Sequence, residues 1–272
     1  MMTDDAAFEA LTRRLSGAVG LELDIYKSKC LRRRIAVRMR ACGVHTYDEY
    51  LTHLERTPEE YQRLKDAITI NVTRFYRNAE TWNSLRTRFL PSLWREREGT
   101  LLGWSAGCSS GEEPYTLAMI LAELCAAEGR PSWLSRVRID ATDIDRVSLV
   151  RASAATYRPA AFQETPPDLV RRHTRETAAG VEVVPEVRRL VSVREFNLSR
   201  DSIRPDSYDI ILCRNVVIYF DRPMQERLFA AFADALRPGG LLVLGKVETL
   251  LGPARDRLTM VDTRERIYRA AP

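Results

Sequence analysis

The sequence predicts an α/β protein in which an N-terminal helical region precedes an open, largely parallel β-sheet with a small antiparallel insertion. The first observation is the stretch 101–114, where an apolar start is followed by small residues, two carboxylates and Pro114. This order predicts a strand, a tight turn and the first turn of a helix, in which proline is tolerated. The second observation is the near-continuous apolar run at 208–213, which is typical of a central parallel strand. The third is that residues 1 to about 68 lack strand alternation.

Composition limits the class of protein and its compartment. With 272 residues, the chain is expected to form two domains, or one large domain with an appendage. No apolar run approaches a membrane span, and the acidic N-terminus lacks the apolar core of a signal peptide. Five widely spaced cysteines without a C-x-x-C pair indicate a reducing compartment, and with three scattered histidines they predict no metal site. We therefore expect a cytoplasmic protein, whose net charge of +5 permits an acidic partner without requiring nucleic acid.

The N-terminal region contains a strongly basic helix. Seven basic residues and no acidic residue lie between Ile25 and Tyr47. Apolar residues at helical spacing share an arc of roughly 80° and are expected to pack, while the arginines flank and oppose them and face outward. The packed residues are Leu31, Ile35, Met39 and Cys42. Gly43 suits the C-cap of this helix, and another short helix is expected from Tyr47. The basic face is either simply exposed to solvent, or it binds an acidic partner that reduces the repulsion between its positive charges.

Residues 68–78 are rich in β-branched and aromatic side chains, and we expect them to join the helical region to the sheet. Asn71, Thr73 and Arg77 are polar residues in this otherwise apolar segment, and such groups normally have partners nearby. They either belong to a binding site or cap a helix near Glu80. That helix is expected to lead to Pro91.

The turn after the first strand is the first candidate site, because ligands of open α/β sheets bind outside the carboxyl ends of the strands. Its glycines, Gly103, Gly107 and Gly111, are spaced by four, unlike a dinucleotide fingerprint, and no lysine follows as in a phosphate-binding loop. Glu112 and Glu113 at the helix start would repel a phosphate. They suit a ligand with hydroxyls and positive charge, such as S-adenosylmethionine, unless the turn is ordinary and the glutamates are solvated. The following helix is expected to be amphipathic, with one apolar face formed by Leu117, Ile120, Leu121 and Leu124.

Further candidates follow the later strands. A second strand at 137–145 ends in Asp143 and Asp145, where doubly wound sheets hold ribose hydroxyls, although one of the two carboxylates is expected to cap the next helix. Segments 181–184 and 190–196 are predicted as short antiparallel strands of an insertion. The strand at 208–213 delivers Arg214 and Asn215 to the sheet edge, where such groups are costly unless partnered. A helix from 223, a strand at 241–245 and a closing hairpin complete the chain.

Three stretches together resemble the chemotaxis receptor methyltransferases, the CheR family, which use S-adenosylmethionine to methylate glutamates on chemoreceptors. They are N-V-T-R-F-Y-R at 71–77, W-S-A-G-C-S-S-G-E-E-P-Y at 104–115 and C-R-N-V-V-I-Y-F-D at 213–221. The likeness covers nearly the whole chain. It implies an N-terminal all-helical domain at 1–70 and a Rossmann-like methyltransferase domain at 71–272, with a small antiparallel β-subdomain inserted at about 155–196.

The resemblance also assigns residues. It implies that the cofactor S-adenosylmethionine, and its product S-adenosylhomocysteine, contact Asn71, Thr73, Arg77, Glu112, Asp143, Asn197, Leu198, Arg214 and Asn215. The first strand of methyltransferases often ends in an acidic residue, whereas this chain has Ser105, and Glu112 is expected to supply the charge. Arg77 and Tyr219 are candidates for lining the methyl pocket. The alternative role is cofactor binding for Arg77 and packing in the core for Tyr219.

The expected partner is the glutamate-rich cytoplasmic helices of a chemoreceptor. By the resemblance, docking falls to Arg33, Arg34, Arg38 and Arg40 of the basic helix. The loop 176–180 is short and has one glycine, which disfavours capture of a C-terminal receptor peptide. Neither nucleic-acid binding nor membrane insertion is expected. A glutamate nucleophile, with a pKa of about 4.3, is ionised at neutral pH, so a protein-glutamate O-methyltransferase needs no general base.

Two other functions fit part of the pattern. A methyltransferase for nucleic acid or a small molecule would use the basic helix as a phosphate contact, but no aromatic residue lies between Arg32 and Arg40 for stacking. A non-catalytic module that senses S-adenosylmethionine would share the cofactor residues. Transfer of a labelled methyl group distinguishes an enzyme from such a sensor.

Overall fold

The computed structural model describes residues 4–69, 71–97 and 99–271, which divide into two compact units. The first unit comprises Met1–Asn71 together with Tyr219–Gln225, and the second comprises Val72–Ile218 and Glu226–Pro272. Among the described residues, no helix is long and apolar enough to cross a membrane. The cysteines are free thiols: Cys30, Cys42, Cys108, Cys125 and Cys213.

The first unit is built from helices, as its sequence predicts. They are α1 (Asp4–Val19), α2 (Ser28–Cys42), α3 (Tyr47–Arg56) and α4 (Glu59–Ile68). Helix α2 buries Leu31, Ile35 and Met39 and ends at Gly43, whose φ of 71° is the left-handed conformation of a C-cap. Thr46 then starts α3 with a capping box, because its hydroxyl accepts the N–H of Glu49 while the Glu49 carboxylate accepts the N–H of Thr46. The predicted packed face of the basic helix is therefore confirmed for its three central residues, and Cys42 is half-buried.

The second unit contains a mainly parallel sheet and a small antiparallel sheet. The strands are β1 (Leu101–Ala106), β2 (Val137–Asp143), β3 (Thr156–Tyr157), β4 (Thr174–Thr177), β5 (Gly180–Val183), β6 (Val191–Glu195), β7 (Tyr208–Cys213), β8 (Leu236–Leu244), β9 (Leu258–Asp262) and β10 (Ile267–Ala270). The main sheet has the order β6-β2-β1-β7-β8-β10-β9, and the small sheet has the order β3-β5-β4. Strands β6, β2, β1, β7 and β8 are parallel, whereas β10 pairs antiparallel with β8 and β9 as the predicted closing hairpin.

The prediction that 190–196 forms an antiparallel strand of the insertion is wrong. Strand β6 pairs parallel with β2, with Ile139 opposite Val191 and Asp143 opposite Glu195. The antiparallel partner of β5 is instead β4, joined to it by a two-residue turn, and β3 pairs on the other side. Alternating apolar residues in a short segment fit both kinds of sheet, since the pairing direction is set by topology rather than by pattern.

The remaining helices cover the sheet and connect its strands. They are α5 (Ala79–Ser84), α6 (Leu90–Glu96), α7 (Glu112–Ala127), α8 (Arg146–Ala154), α9 (Pro167–His173), α10 (Pro185–Arg188) and α11 (Arg222–Ala235). A π-helical turn at Leu85–Phe89 links α5 to α6, so Pro91 lies inside a continuous helix rather than at its end. Proline lacks an N–H donor and crowds the preceding turn, and the wider turn accommodates it.

Helix α7 is buried on more than one face, which differs from the predicted amphipathic helix. The expected positions Leu117, Ile120 and Leu121 are buried, but so are Tyr115 and Met119. The helix contacts β1 and β2 of the sheet as well as α9 and α10 of the insertion. A helix covered on both sides needs no polar stripe.

Candidate cofactor site

The carboxyl ends of four parallel strands meet at one edge of the main sheet. Strands β6, β2, β1 and β7 are consecutive neighbours, so the residues that follow them lie side by side. These residues are Asn197 after β6, Asp143 at the end of β2, the turn 107–111 after β1, and Arg214 with Asn215 after β7. This edge is the position at which open α/β sheets bind ligands.

The turn after β1 is tied to the end of β2 by backbone hydrogen bonds. The N–H groups of Gly107 and Cys108 donate to the carbonyl of Thr142 at 2.8 and 2.9 Å. The N–H of Ser109 donates to Oδ2 of Asp143 at 2.8 Å. Burial raises the pKa of Asp143 above its ordinary value, although backbone hydrogen bonds oppose the rise. The prediction that one of the two carboxylates caps the next helix is confirmed for Asp145. Its carboxylate accepts the N–H groups of Val147 and Ser148 at the start of α8.

Gly107 is required by the shape of this edge. Its φ of 83° lies in the left-handed region, and a Cβ added to it would lie 2.5 Å from Cγ2 of Val216. Val216 belongs to the loop after β7, so the absence of a side chain at Gly107 lets the two loops pack against each other.

The carboxylate that contacts Ser105 belongs to Glu113, and the role of Glu112 as the acidic group of the cofactor site stays a prediction. The hydroxyl of Ser105 donates to Oε1 of Glu113 at 2.8 Å, and the Arg214 guanidinium lies 3.3 Å from Oε2 of the same carboxylate. Glu112 instead accepts a hydrogen bond from the hydroxyl of Ser110 at 2.8 Å. Burial raises the pKa of both glutamates, and the positive charge of Arg214 opposes the rise at Glu113. Adjacent helical residues point about 100° apart, which separates the two roles.

Arg214 connects the loop after β7 to the segment before α5. Its side chain is buried, and it donates to the carbonyl of Arg77 at 2.7 Å and to Oδ1 of Asn78 at 3.0 Å. Burial lowers the pKa of Arg214, and the nearby charge of Arg77 lowers it further while Glu113 raises it. The Arg77 side chain donates to the carbonyl of Val72 at 2.8 Å rather than capping α5. Arg77 lies close enough to the Arg214–Glu113 pair for its charge to affect both groups, and its role at the site stays a prediction.

Asn197 begins a tight turn next to the end of β2. The N–H of Phe196 donates to the carbonyl of Asp143 at 3.0 Å, which brings Asn197 and Leu198 to the same edge. Oδ1 of Asn197 accepts hydrogen bonds from both the N–H and the hydroxyl of Ser199. Asn197 and Leu198 are half-buried.

The remaining predicted residues are divided between the two units. Thr73 is half-buried in the second unit. Asn71 and Tyr219 belong to the first unit, in which the carbonyl of Tyr219 accepts the N–H of Lys27 at 2.9 Å and the next residue, Phe220, packs its ring against Tyr26. Their predicted roles in cofactor binding and in lining the methyl pocket stay predictions.

Buried polar atoms at the sheet edge fit a polar ligand. Ser109 Oγ, Arg214 Nε and Asn215 Oδ1 are buried and have no hydrogen-bond partner among the described residues. Such atoms are rare in folded proteins, because an unmet buried polar group costs about 1–3 kcal/mol. A ligand with an amino-acid group, a ribose and a base offers both donors and acceptors to satisfy them. S-adenosylmethionine therefore fits the donors, acceptors and acidic groups of this edge.

The basic helix divides its arginines between two roles. Arg33 and Arg40 are exposed, and Arg34 is half-buried. The expectation that all of these arginines face outward is wrong for Arg38, whose guanidinium makes hydrogen bonds of 2.9 and 2.7 Å to the buried carboxylate of Glu60. Arg38 therefore stabilises the fold of the first unit.

A group of possible metal ligands lies in the same unit. The ligand atoms of Cys42, His53 and Glu60 lie within 4.8 Å of one another. Oε1 of Glu60 already accepts hydrogen bonds from Arg38 and from the hydroxyl of Tyr50, and Oε2 accepts a second one from Arg38. The guanidinium thus supplies the positive charge that this carboxylate needs. The sequence does not reveal this group, because its members come from three helices at no recognisable spacing.

The sequence does not reveal the different roles of Glu112 and Glu113, which only their contacts distinguish. One further residue at the sheet edge was not predicted. Glu248, which lies after β8, accepts the N–H groups of Asn215 and Val216, each at 2.9 Å. A lone glutamate after a buried strand is the only sequence signal of this residue.

The parallel sheet, its closing antiparallel hairpin and the polar groups at its carboxyl edge define the class of S-adenosylmethionine-dependent methyltransferases. The protein-family model for the SAM binding domain of the CheR methyltransferases matches residues 71–267. The family model for their all-alpha domain matches residues 6–69. The chain therefore belongs to the CheR methyltransferase family. The predicted resemblance, fold class, enzyme class and cofactor, S-adenosylmethionine, are confirmed.

Similar curated proteins carry related names. A chemotaxis protein methyltransferase of Listeria monocytogenes is 34% identical over 245 residues, covering 89% of this chain and 90% of that protein. Chemotaxis protein methyltransferase 2 of Pseudomonas aeruginosa is 35% identical over 249 residues, covering 90% of this chain and 86% of that protein. A probable biofilm formation methyltransferase, WspC, of the same organism is 34% identical over 244 residues, covering 88% of this chain and 56% of that protein.

Proposed function

We propose that this enzyme transfers the methyl group of S-adenosylmethionine to glutamate side chains on the cytoplasmic helices of bacterial chemoreceptors. The reaction forms carboxyl methyl esters during chemosensory adaptation. Support comes from membership of the CheR methyltransferase family and from relatives named chemotaxis protein methyltransferase.

The observation that carries the proposal is the cluster of polar groups at the carboxyl edge of the main sheet, with three buried polar atoms that lack partners among the described residues. The acidic groups suit the ribose hydroxyls and the positive charges of the cofactor. The proposed contacts are Asn71, Thr73, Arg77, Glu112, Asp143, Asn197, Leu198, Arg214 and Asn215, to which we add Ser109 because its Oγ is buried and has no partner among the described residues.

The proposed chemistry needs positioning rather than a base. When bound, the cofactor supplies an electrophilic methyl group on its sulfonium. A substrate glutamate with a pKa of about 4.3 is already ionised at neutral pH. The task of the protein is then to hold a carboxylate oxygen in line with the methyl group and to exclude water. Arg77 and Tyr219 remain our candidates for lining the methyl pocket.

The proposed docking surface is the exposed part of the basic helix α2. It comprises Arg33 and Arg40 with the half-buried Arg34, and it excludes Arg38, which is paired with Glu60. A glutamate-rich receptor helix would neutralise these charges. The two-residue turn between β4 and β5 is too short to grip a receptor tail, so we do not include peptide tethering. We do not include nucleic-acid binding, because no aromatic residue lies between Arg32 and Arg40 for stacking.

We further propose that the chain works in the cytoplasm as two domains, at 1–70 and 71–272. The division of the structure at Asn71 and the separate matches at 6–69 and 71–267 support this boundary. Strand β6 belongs to the main sheet, so the insertion proposed at about 155–196 ends before β6.

The experiment that tests the function is transfer of a labelled methyl group. The purified protein is incubated with methyl-labelled S-adenosylmethionine and membranes that contain chemoreceptors, and the labelled product is treated with base. We expect label on the receptor and its release as methanol. A base-stable label, or label on nucleic acid or a small molecule, would contradict the proposal, and no transfer together with tight cofactor binding would indicate a sensor.

A matched pair of variants links transfer to the site. Asp143→Asn is expected to lower both S-adenosylhomocysteine binding and methyl transfer, because Asp143 holds Ser109 and faces the ligand edge. Asp140→Asn, three residues earlier on β2, should leave both unchanged, since Asp140 bonds the hydroxyl of Tyr208 and pairs with Arg194 instead.

A further inference from the structure

The carboxylate of Glu248 joins the loops that follow two neighbouring strands. Its Oε2 accepts the N–H groups of Gly245 at 2.5 Å and Asn215 at 2.9 Å, and its Oε1 accepts the N–H of Val216 at 2.9 Å. Gly245 follows β8, and Asn215 and Val216 lie after the parallel strand β7. Glu248 is only 2% exposed. The backbone of Ile218 also hydrogen-bonds this carboxylate, so backbone donors from two loops converge on one buried side chain.

Gly245 makes this arrangement possible. A Cβ added to Gly245 would lie 2.6 Å from Oε2 of Glu248 and 2.9 Å from the backbone nitrogen of Asn215. Both distances are too short for a side-chain carbon. The two loops therefore approach each other closely only because residue 245 is a glycine.

Glu248 determines the backbone of the loop that carries two site groups. Asn215 has a φ of 62°, a left-handed conformation that is uncommon for a residue other than glycine. Its side chain places the unpartnered Oδ1 in the buried edge of the sheet. The next residue, Val216, packs its side chain against Gly107 of the turn after β1. Two N–H bonds to Glu248 fix both of these positions.

We propose that Glu248 is a positioning residue for cofactor binding, which holds Asn215 toward the cofactor and Val216 against the turn at Gly107. This inference rests on the proposed assignment of Asn215 to the cofactor site and concerns cofactor binding rather than the protein substrate. Glu248 itself does not touch the ligand. Its effect passes through the backbone of residues 215 and 216.

The test compares Glu248→Gln with a matched buried carboxylate at the opposite edge of the sheet. Asp209 is also buried and accepts the N–H of Leu102 at 2.7 Å, but it lies near the amino end of β7. In Glu248→Gln, an amide NH₂ group replaces one of the two carboxylate oxygens that accept these backbone N–H groups. We therefore expect the affinity for S-adenosylhomocysteine to fall about tenfold or more. Calorimetry on the folded full chain measures this affinity. Asp209→Asn is expected to lower the melting temperature while leaving the affinity within about twofold of the wild type.

Two more variants keep the result interpretable. Gly245→Ala disturbs the same contact from the other side and is expected to weaken binding similarly, whereas Glu248→Asp, which keeps the charge, should restore part of the affinity lost in Glu248→Gln. Wild-type affinity in folded Glu248→Gln and Gly245→Ala would overturn the proposal. Asn215→Ala tests the underlying assignment separately: unchanged binding in that variant would remove Asn215 from the site, whatever the result for Glu248.

Discussion

The guanidinium of Arg38 and the carboxylate of Glu60 form a two-point ion pair inside the first unit. Nε of Arg38 lies 2.9 Å from Oε1 of Glu60, and the second nitrogen lies 2.7 Å from Oε2. Glu60 is fully buried, the Arg38 side chain is 21% exposed, and the hydroxyl of Tyr50 also donates to Oε1. One member of a basic stretch thus neutralises a buried charge of its own domain.

The first prediction concerns stability. Arg38→Ala should lower the free energy of unfolding by about 2–4 kcal/mol, because the Glu60 charge would stay buried without its partner. Arg33→Ala, at an exposed position of the same helix, should change it by less than about 0.5 kcal/mol. Denaturant unfolding of both variants measures the difference. Equal stabilities would show that the ion pair contributes nothing to the fold.

The second prediction concerns docking. Charge reversal in the double variant Arg33→Glu and Arg40→Glu should lower methyl transfer to receptor-containing membranes at least about tenfold, while S-adenosylhomocysteine affinity stays unchanged. The loss should shrink as salt concentration rises, since added ions screen exposed charges. Arg13→Glu, an exposed arginine on α1, is the control for net charge. An equal loss in the control would assign the effect to overall charge rather than to α2.

The third prediction concerns pH. Burial disfavours the charged form of Glu60, but hydrogen bonds from Arg38 and Tyr50 outweigh this, so its pKa in the folded protein lies below the ordinary value of 4.5. The stabilisation is therefore present above pH 4.5 and is lost as the pH falls through the lower, folded pKa. Below pH 5, the unfolding free energy of the wild type should fall more steeply than that of Glu60→Gln. Parallel curves for the two proteins would contradict this assignment.

Helical spacing predicted the packed face of α2 but not the fate of Arg38. Leu31, Ile35 and Met39 recur at a helical period, so burial of one face follows from the sequence. The partner of Arg38 lies 22 residues away on α4, and the burial of Glu60 depends on how α2, α3 and α4 pack. A long-range ion pair of this kind leaves no periodic signal.

At the sheet edge, the strand ends and the polar residues that follow them were predictable from the sequence. The pairing direction of β6 and the contacts that hold the loops in place were not. Arg214 and Asn215 follow an apolar run, and Asp143 ends an alternating segment; both patterns predict a strand that ends at these residues. The parallel pairing of β6 and the convergence of Gly245 and Asn215 on Glu248 depend on tertiary contacts. Residues that act through backbone donors carry no motif of their own.

The fourth prediction separates the two adjacent glutamates. Glu113→Gln should destabilise the protein by about 2–3 kcal/mol, because it leaves the buried charge of Arg214 without its carboxylate. Glu112 contacts Ser110 and has no ion pair among the described residues, so Glu112→Gln should change stability little and lower S-adenosylhomocysteine affinity instead. Thermal unfolding and calorimetry on both variants give the comparison. If Glu112→Gln binds the product normally, Glu112 does not belong to the cofactor site.

The fifth prediction tests why residue 107 is a glycine. Gly107→Ala would strain a backbone with a φ of 83° and place a Cβ 2.5 Å from Val216, whereas Gly129→Ala would strain a φ of 66° with nothing within 4 Å. Strain alone should cost each variant about 1–2 kcal/mol of stability. Only Gly107→Ala should also lose S-adenosylhomocysteine affinity, because the clash pushes apart the loops that carry Ser109 and Asn215. Adding Val216→Ala to Gly107→Ala should recover part of that affinity, and a failure to recover any would mean that contact with Val216 is not what requires the glycine.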